Sequence, residues 1–346
     1  MIPSIKLFSL DLELLALVDD YESLYFEEKY NDIGTCTMTI SVYSENFKFL
    51  QKNFLLYLDK FNCWYIEEIS INEDIATITA LTLNFILGHR ITIPRRGLSH
   101  ISFKKTLTSD VIKSLVNECL ISSSDSSRNL PNLILETEPK VGHTVDYNSR
   151  YKNLLEEAIA LSNYSAIGFR LGIDIKKKKF IFSVFEGQDL TQEVIFSEDY
   201  DNLSSLSVLD SNLSYKNHVY VAGQGELENR RVIEVSEMPQ KSSWFRREEV
   251  KDSRDKETDD ELYLEGDKVL AEYCEKTSIE AELINYDDTV SIGDLVLIIS
   301  KKYNCKFIQR ILQIDTEYTA SSGKTVHIIV GTQKPTLKFE DNSIFE

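Results

Sequence analysis

The side chains that could do chemistry in this sequence are five histidines and an excess of acids, 56 Asp and Glu in 346 residues. The histidines stand at positions 89, 100, 143, 218 and 327, and none has a second histidine or a carboxylate at metal-ligand spacing. Adjacent acids such as Asp19-Asp20 and Glu67-Glu68 are common, but so many acids produce such pairs by chance. We therefore predict no metal, no cofactor and no catalytic residue. A hydrolase with two carboxylates across a cleft stays an alternative, because sequence does not show a cleft.

Two glycine-containing segments resemble nucleotide-binding loops without completing either pattern. Residues 321–325 read Ser-Ser-Gly-Lys-Thr, but Tyr318 stands where a phosphate-binding loop needs glycine, and a strand pattern follows where a helix is needed. The segment Gly223-Gln224-Gly225 lacks the third glycine of a dinucleotide-binding turn. Both segments predict tight turns, and we expect a positive φ at one or both of Gly223 and Gly225.

The formal net charge of −18 argues against broad binding to nucleic acid or to anionic membranes, since both need clustered Lys and Arg. The five cysteines have no C-x-x-C spacing, which favours reduced thiols over disulfides or a zinc site. No apolar run approaches the roughly 20 residues that span a bilayer, and the amino terminus lacks a signal-peptide pattern. We expect no membrane anchor and folding in the cytoplasm, which leaves later assembly into an exported particle open.

The basic residues that stand out lie in short clusters beside aromatic or acidic residues. Trp244 and Phe245 precede Arg246-Arg247, and two glutamates follow. Because Trp and Arg are enriched at interface hot spots, this segment is a candidate interface. The alternative is a partly buried local group of ion pairs. The full set of candidate interface residues is Trp244, Arg246, Arg247, Arg230 and Arg231.

The elements that must position these residues are mostly strands. Thr35 to Tyr43 alternates strictly between apolar and polar residues, which is typical of a half-buried strand. Further strand patterns at 54–58, 63–71 and 75–83 are separated by short breaks, as in an antiparallel meander. We therefore predict a first β-barrel domain over residues 1–100.

The character of the chain changes after residue 100. Helical spacing at 107–120 and 151–162 and a hairpin at 166–185 predict a small α+β domain over 101–205. Strand patterns resume over 206–346, which predicts a second β-barrel domain. At about 245–277 it is interrupted by an exposed charged loop, 248–261, and a helix, 265–276.

The two strand-rich regions resemble each other when the chain is shifted against itself by 242 positions. Six of the fifteen positions 55–69 are then identical to positions 297–311, without a gap. The identical pairs are Leu55/Leu297, Lys60/Lys302, Asn62/Asn304, Cys63/Cys305, Ile66/Ile308 and Ile69/Ile311. The alternative is chance similarity between two meanders rich in Ile and Leu. We favour a duplication, which predicts a β-rich α+β fold of two related small antiparallel β-barrels with an inserted α+β domain.

Four segments in order carry a family resemblance. They are residues 88–94 (Gly-His-Arg-Ile-Thr-Ile-Pro), 219–226 (Val-Tyr-Val-Ala-Gly-Gln-Gly-Glu) with Arg230, 244–255 (Trp-Phe-Arg-Arg-Glu-Glu-Val-Lys-Asp-Ser-Arg-Asp) and 292–296 (Ile-Gly-Asp-Leu-Val). Together they resemble the siphovirus tail hub family, the amino-terminal part of tail-associated proteins at phage tail tips. Related hubs occur in contractile tails and in tail-derived bacteriocins. The resemblance covers about residues 15–335. Leu227 departs from it, since a second small residue is expected there.

The resemblance implies two β-barrels per chain, similar to tail-tube barrels, and assembly as a homotrimer whose six barrels match a hexameric tube ring. It implies a structural hub of a phage tail tip or baseplate that closes the tail tube and anchors tip proteins. The expected location is the virion tail tip, assembled in the host cytoplasm. Expected partners are the chain itself, a distal tail or tail-tube protein, the tape measure protein and a tip fibre or receptor-binding protein. DNA would pass through the lumen, along acidic walls, without specific binding.

Two other functions stay open at this point. One is a tail-tip cell-wall hydrolase, which needs acids or a metal triad converging in a cleft. The other is a receptor- or glycan-binding module that uses exposed Trp64, Trp244 or tyrosines. Because the last strand pattern ends at Val330 and the sequence at Glu346, we expect no lytic domain and a chain that is not an enzyme.

Overall fold

A computed structural model describes residues 3–236, 244–256, 258–283, 290–302, 305–319 and 323–331 of the chain. Strands dominate it, as the alternating sequence patterns predict, and four hydrophobic cores hold it together. Each core lies mainly in one of four parts. We call them the first repeat, the middle unit, the α4 unit, which contains the helix α4 (Asp259–Glu272), and the second repeat.

The first repeat is a run of strands that ends in a short helix. Its elements are β1 (Ile5–Phe8), β2 (Leu14–Val18), β3 (Ser23–Lys29), β4 (Thr35–Ser41), β5 (Leu55–Tyr57), β6 (Cys63–Asn72), β7 (Ile75–Thr82) and α1 (Phe85–Gly88). The strand order is β3-β4-β7-β6-β5-β1-β2, and neighbouring strands are antiparallel. Cys36, Met38 and Ile40 of β4 are buried, which confirms the predicted alternation. Trp64 fills the same core, so it is not the exposed aromatic residue that a glycan-binding module would use.

The second repeat has the same arrangement of strands. Its elements are β13 (Ile195–Ser197), β14 (Leu203–Ser211), β18 (Lys276–Leu283), β19 (Leu295–Ser300), β20 (Cys305–Thr319) and β21 (Gly323–Gly331). They are paired in the order β14-β18-β21-β20-β19-β13, which corresponds strand for strand to β3-β4-β7-β6-β5-β1. One difference is that β13 runs parallel to β19, whereas β1 runs antiparallel to β5. The shared strand order supports the predicted duplication.

Cross-strand partners show which residues of the two repeats are equivalent. The facing triplets are Cys36–Ala80–Ile66 and Ile279–Val330–Ile311, and a register shift follows Ile66 and Ile311 in both. The shift of 242 positions is therefore wrong in this strand, because it pairs Ile66 with Ile308 instead of Ile311. Ile66 is buried, whereas Ile308 is 56% exposed. An odd error in register turns a side chain to the other face of a sheet, and the ungapped comparison could not detect it.

One strand pairing joins the two repeats into a continuous sheet. β3 pairs with β20 over its whole length, from Ser23 opposite Thr319 to Lys29 opposite Gln313. The sheet path runs from β14 to β2 through both repeats, and in the described part of the chain its pairings close neither repeat into a barrel. The expectation of two separate barrels is thus replaced, for these residues, by one sheet whose path ends at β2 and β14.

The middle unit packs helices against short sheets. Its elements are β8 (Ile101–Leu107), α2 (Thr108–Val116), β9 (Leu133–Leu135), β10 (Thr144–Ser149), α3 (Leu154–Ser165), β11 (Gly168–Asp174) and β12 (Lys179–Phe185). α3 begins where the Asn153 side chain accepts the backbone N–H of Leu155 at 3.0 Å, and it ends at Ala166 in the left-handed region. Its core continues into Phe8 and Leu55 of the first repeat, so the two parts share apolar packing.

The α4 unit interrupts the second repeat between β14 and β18. It consists of β15 (His218–Ala222), β16 (Val232–Ser236), β17 (Glu248–Asp252) and α4 (Asp259–Glu272). The expected charged loop at 248–261 is wrong, because β17 pairs in parallel with β15 and α4 begins at Asp259. Charged side chains suit an exposed edge strand, so they hid its backbone pairing. α4 starts earlier than the predicted helix because Thr258 and Glu261 form a capping box.

Tyr30 lies where the first repeat, the second repeat and the middle unit meet. It directly follows β3, its side chain is buried, and its hydroxyl donates to the Ala166 carbonyl at 3.0 Å. A Cβ on Gly168 or on Gly293 would lie 2.5 Å from the Tyr30 ring. The ring also meets Phe185 edge-on at a centroid distance of 5.3 Å. Glycine is therefore required on both sides of this ring, and Tyr30 fixes three parts of the fold against one another.

We expect Tyr30→Ala to lower the free energy of unfolding by about 3 to 5 kcal/mol, because it removes a buried ring from a three-way contact. Tyr30→Phe keeps the ring and loses one hydrogen bond, so its cost is about 1 kcal/mol. Urea denaturation followed by circular dichroism measures both. Equal, small losses for the two variants would contradict the role of the ring.

Candidate functional site

The five candidate interface residues all lie in the α4 unit, whose sheet has the order β16-β15-β17. α4 covers one face so closely that a Cβ on Gly266 would lie 2.3 Å from Val235. Cross-strand pairing places nine side chains on the opposite face, which we call the outer face: His218, Tyr220, Ala222, Val232, Glu234, Ser236, Glu248, Val250 and Asp252. Val250 is 66% exposed there, so the described elements leave this face largely open.

Arg246 lies across the outer face and pairs with two of its acids. Its guanidinium donates to Glu234 at 2.7 Å and to the Tyr220 hydroxyl at 2.7 Å, and it also pairs with Glu248. The hydrogen bonds that Arg246 donates to Glu248 and then to Glu234 raise the pKa of Arg246, and the bond that Glu248 accepts from Arg246 lowers the pKa of Glu248. One arginine and two glutamates therefore form one exposed, ion-paired group.

Trp244 and Phe245 project from the start of β17 and are 91% and 66% exposed. The backbone that carries them is held by the buried side chain of Asn217. Its Nδ2 donates to the Phe245 carbonyl at 2.7 Å, and its Oδ1 accepts the Arg247 N–H at 2.9 Å. The Asn217 N–H in turn donates to the Arg247 carbonyl at 3.0 Å. Two aromatic side chains are thus displayed on a fixed backbone.

Arg247 lies at the same end of β15 as Trp244. It donates to the Asn212 carbonyl, and its guanidinium lies 5.8 Å from the centroid of the Tyr215 ring. Trp244, Arg246 and Arg247 therefore lie together at the beginning of β15, and their role as an interface stays a prediction.

Arg230 and Arg231 lie at the other end of β15, roughly 13 Å away along the strand. Arg230 donates to the Ala222 carbonyl at 2.9 Å and pairs with Asp252 at 2.5 Å, while Arg231 pairs with Asp259. The structure thus divides the candidate set into two groups. The alternative interpretation of the Arg246 segment, a local group of ion pairs, agrees with the pairing of Arg246 with Glu234 and Glu248, and the arginines at this end form ion pairs of their own.

The turn between β15 and β16 shows why a small residue is expected at the position of Leu227. Gly225 has φ +105°, and a Cβ there would lie 2.4 Å from the Asn229 carbonyl oxygen, so one of the two expected positive φ angles is present. Leu227 also has a positive φ, 48°, and its side chain is exposed. A leucine in the left-handed region is strained, and a small residue such as glycine would remove that strain.

We expect Leu227→Gly to raise the free energy of unfolding by about 0.5 to 1 kcal/mol, since relief of the left-handed strain exceeds the added entropy of the unfolded chain. Gly225→Ala is the matched change in the same turn and should destabilise, because it adds both strain and a contact. Thermal unfolding of the two variants tests the pair. A lower stability for Leu227→Gly would contradict the strain argument.

A buried ionic cluster, which no sequence pattern indicates, lies between the α4 unit and the middle unit. Its members are Lys152, Glu157, Asp255, Lys256, Glu265 and Lys268. Lys268 Nζ lies 2.9 Å from Glu265 Oε1 and 4.1 Å from the centroid of the buried Tyr147 ring. Three lysines balance three acids, as burial of charge requires. Because the residues come from three separated segments, no spacing pattern could have revealed the cluster.

The lysines of the ionic cluster determine the pKa of Glu265. Burial raises the pKa of this carboxyl group, but Lys268, Lys152 and Lys256 outweigh burial and hold the pKa at about 2. For Lys268, a base, burial lowers the pKa, whereas the nearby charges of Glu265 and Glu157 act in the opposite direction. The ion pairs therefore depend on the charged form of Glu265.

We expect the chain to lose stability as the pH falls from about 4.5 to about 2. The folded-state pKa of Glu265 lies below its ordinary value, so its contribution is complete above pH 4.5 and disappears on protonation. That contribution is about 3 kcal/mol for a shift of this size. Glu265→Gln should be less stable at pH 7 and should have a flatter acid dependence, measured by urea denaturation between pH 7 and pH 3. Glu156→Gln, at an exposed position of α3, is the control. The same acid slope in Glu265→Gln as in the wild type would contradict this role.

Comparison with known proteins places the chain. Residues 4–332 match the family of siphovirus ReqiPepy6 Gp37-like proteins. The chain belongs to this family. The resemblance that the four motifs indicate is thereby confirmed. No curated protein sequence matches the Gp37-like chain.

The fold of the Gp37-like chain is that of phage tail proteins. It is similar to the prophage tail protein gp18 of Listeria monocytogenes EGD-e, with TM-score 0.57, 13% identity and coverage of 96% of this chain and 95% of that one. It is also similar to the 43 kDa tail protein of prophage MuSo2 from Shewanella oneidensis, with TM-score 0.58, 11% identity and coverage of 94% of this chain and 98% of that one. A tail protein from Neisseria meningitidis MC58 has TM-score 0.55 and 10% identity, with coverage of 95% of this chain and 96% of that one.

The motif Ile292-Gly293-Asp294 has a clear structural role in the Gp37-like chain. Asp294 is buried and accepts the backbone N–H groups of Ser291 and Gln188, each at 2.8 Å. Gly293 has φ +95°, and a Cβ on the neighbouring Gly187 would lie 1.9 Å from the Gly293 carbonyl oxygen. The motif therefore fastens the segment before β13 to β19, beside Tyr30.

One hydrogen-bonded chain in the α4 unit has the order Ser–His–Asn that also occurs in acyl-transfer enzymes. His218 Nε2 lies 3.1 Å from Ser236 Oγ, and His218 Nδ1 lies 2.9 Å from Asn217 Oδ1. The His218 side chain is fully buried, and Asn217 is engaged in holding the backbone below Trp244. Burial keeps a substrate away from the imidazole, and this chain of bonds joins β15 to β16 within the sheet.

Among the described residues, no group of three or more His, Cys, Asp or Glu side chains could hold a metal ion. No described helix has the length and the apolar character needed to cross a membrane. Residues 321 and 322 of the Ser-Ser-Gly-Lys-Thr segment lie outside the described residues, and Gly323 to Thr325 open β21.

Proposed function

We propose that this Gp37-like chain is a structural hub protein of a phage tail tip or baseplate, or of a phage-tail-like particle. The observation that carries the proposal is the repeated strand order within one continuous sheet, which lets one chain present a similar surface twice. A protein that contacts a ring of identical subunits with fewer copies of itself needs such a repeated surface. The family match and the tail-protein fold support the same role.

In this proposal three copies form a homotrimeric symmetry adaptor. The resemblance implies two barrels per chain, each similar to a tail-tube barrel, and each repeat corresponds to one of them. Three chains therefore present six repeats to a hexameric tube ring. The hub closes the tail tube and anchors tip proteins at the virion tail tip, after assembly in the host cytoplasm. Its neighbours are a distal tail or tail-tube protein, the tape measure protein and a tip fibre or receptor-binding protein. DNA passes the acidic hub without specific binding, since the net charge is −18 per chain.

Association between copies is supported by the two ends of the sheet path. At one end, Leu14 and Leu17 of β2 are 56% and 52% exposed, and at the other end Val208 and Leu209 of β14 are partly exposed. An apolar edge strand is a template for pairing with another chain. Because the two edges are different surfaces, head-to-tail contacts between them can close into a ring.

We expect the wild-type chain to form trimers in solution at high micromolar concentration and the double variant Leu14→Lys, Leu17→Lys to be monomeric. Lysine charges on this edge oppose strand pairing with a neighbour. Because Leu14 and Leu17 are exposed, their replacement leaves the core intact. Light scattering coupled to gel filtration gives the mass directly.

Leu98→Lys, at an exposed position outside both edges, is the matched control and should stay trimeric. A wild-type chain that is monomeric at high micromolar concentration and absent from purified particles would overturn the hub function. A double variant that stays trimeric would move the contact between copies to another surface.

A further inference from the structure

Among the described residues, the most exposed pair of neighbouring large aromatic side chains is Trp244 with Phe245. The other tryptophan, Trp64, is fully buried in the core of the first repeat, where such a ring contributes most to stability. Trp244 gives the fold almost no burial, since only a tenth of its surface is covered. Its large apolar surface is therefore available to a neighbour.

The backbone under this pair is prepared for binding. Asn217 makes three hydrogen bonds to Phe245 and Arg247, and the following strand β17 pairs in parallel with β15. The α4 unit itself is joined to the middle unit through the ionic cluster, with Lys256 and Glu265 at its centre. An anchor on a fixed backbone loses little conformational entropy on binding, which is the main cost of such a contact.

The charges around the pair are already matched within the chain. Arg246 is shared between Glu234 and Glu248, and Lys216 lies 3.0 Å from Glu249. With Arg247, which lies at the same end of β15, three basic and three acidic side chains stand beside the pair, so together they leave no net charge for a partner to complement. A sugar needs free polar groups beside the ring on which it stacks, whereas an apolar pocket needs only the exclusion of water.

We propose that Trp244 and Phe245 form a preorganised anchor that inserts into an uncharged apolar pocket of a different protein of the same particle. A second copy of this chain is disfavoured as the occupant, because the proposed trimer joins copies through β2 and β14 and the pair lies on neither strand. The identification of the partner as a particle protein rests on the proposed function. The anchor deepens that proposal by assigning a contact and its chemistry.

The test uses the full chain with Phe245→p-benzoyl-phenylalanine, produced during particle assembly and irradiated in purified particles. We expect an adduct with one other particle protein, identified by mass spectrometry, at a segment rich in apolar residues. Adding Trp244→Ala should reduce the adduct yield about tenfold or more, as for removal of a hot-spot residue. The yield should be the same at low and high salt, because the contact is uncharged. The control is Tyr200→p-benzoyl-phenylalanine, an exposed position elsewhere, which should give no adduct with that protein.

Several results would overturn the anchor while the chain is present in particles. These are an adduct only with a second copy, no adduct at all, an unchanged yield after Trp244→Ala, or a yield that falls steeply with salt. An adduct with glycan, formed when the free chain is irradiated with cell walls of the producing strain, would assign the pair to receptor binding instead. Particles that lack the chain altogether would overturn the proposed function and, with it, the assignment of the partner to the particle.

Discussion

The pairing of β3 with β20 is the interaction on which the rest of the structure depends. It turns two separate sets of strands into one sheet, and it brings Tyr30, the residue after β3, against Gly293 and the middle unit. Without that pairing the ring would lose its site between the two glycines, and the core of the second repeat would lose the Tyr30 ring. The close contacts at Gly168 and Gly293 show that this junction tolerates little change in shape.

Much of the fold could be predicted from the sequence because its signals are local. The alternation in β4 and the four family motifs each lie within a few consecutive residues. The charged strand β17 was not predicted, because its charged, exposed side chains are typical of a loop whereas its backbone pairs with β15. The repeat was recognised, but its register was wrong by an odd number of residues in β20, since an ungapped comparison does not detect the additional residues between Cys305 and Ile311, relative to Cys63 and Ile66.

The candidate site was predictable only in part, for a different physical reason. Trp244 and Arg246 stood out by residue type, and the structure brings them to one end of β15. Arg230 and Arg231 share that residue type but lie at the other end, because turn geometry and strand direction decide position. The ionic cluster depends on contacts between segments more than a hundred residues apart, such as Lys256 with the Asn148 carbonyl. Such contacts have no sequence signature, although they determine how rigidly the α4 unit is held.

The order of the strands along the chain has a consequence for synthesis on the ribosome. β3 ends at Lys29, but the strand that covers its edge begins only at Cys305. At ordinary rates of translation the first repeat exists for roughly 15 to 60 seconds with that edge unpaired. The glutamates and the lysine at the end of β3 make the waiting edge a poor template for premature association with another nascent chain.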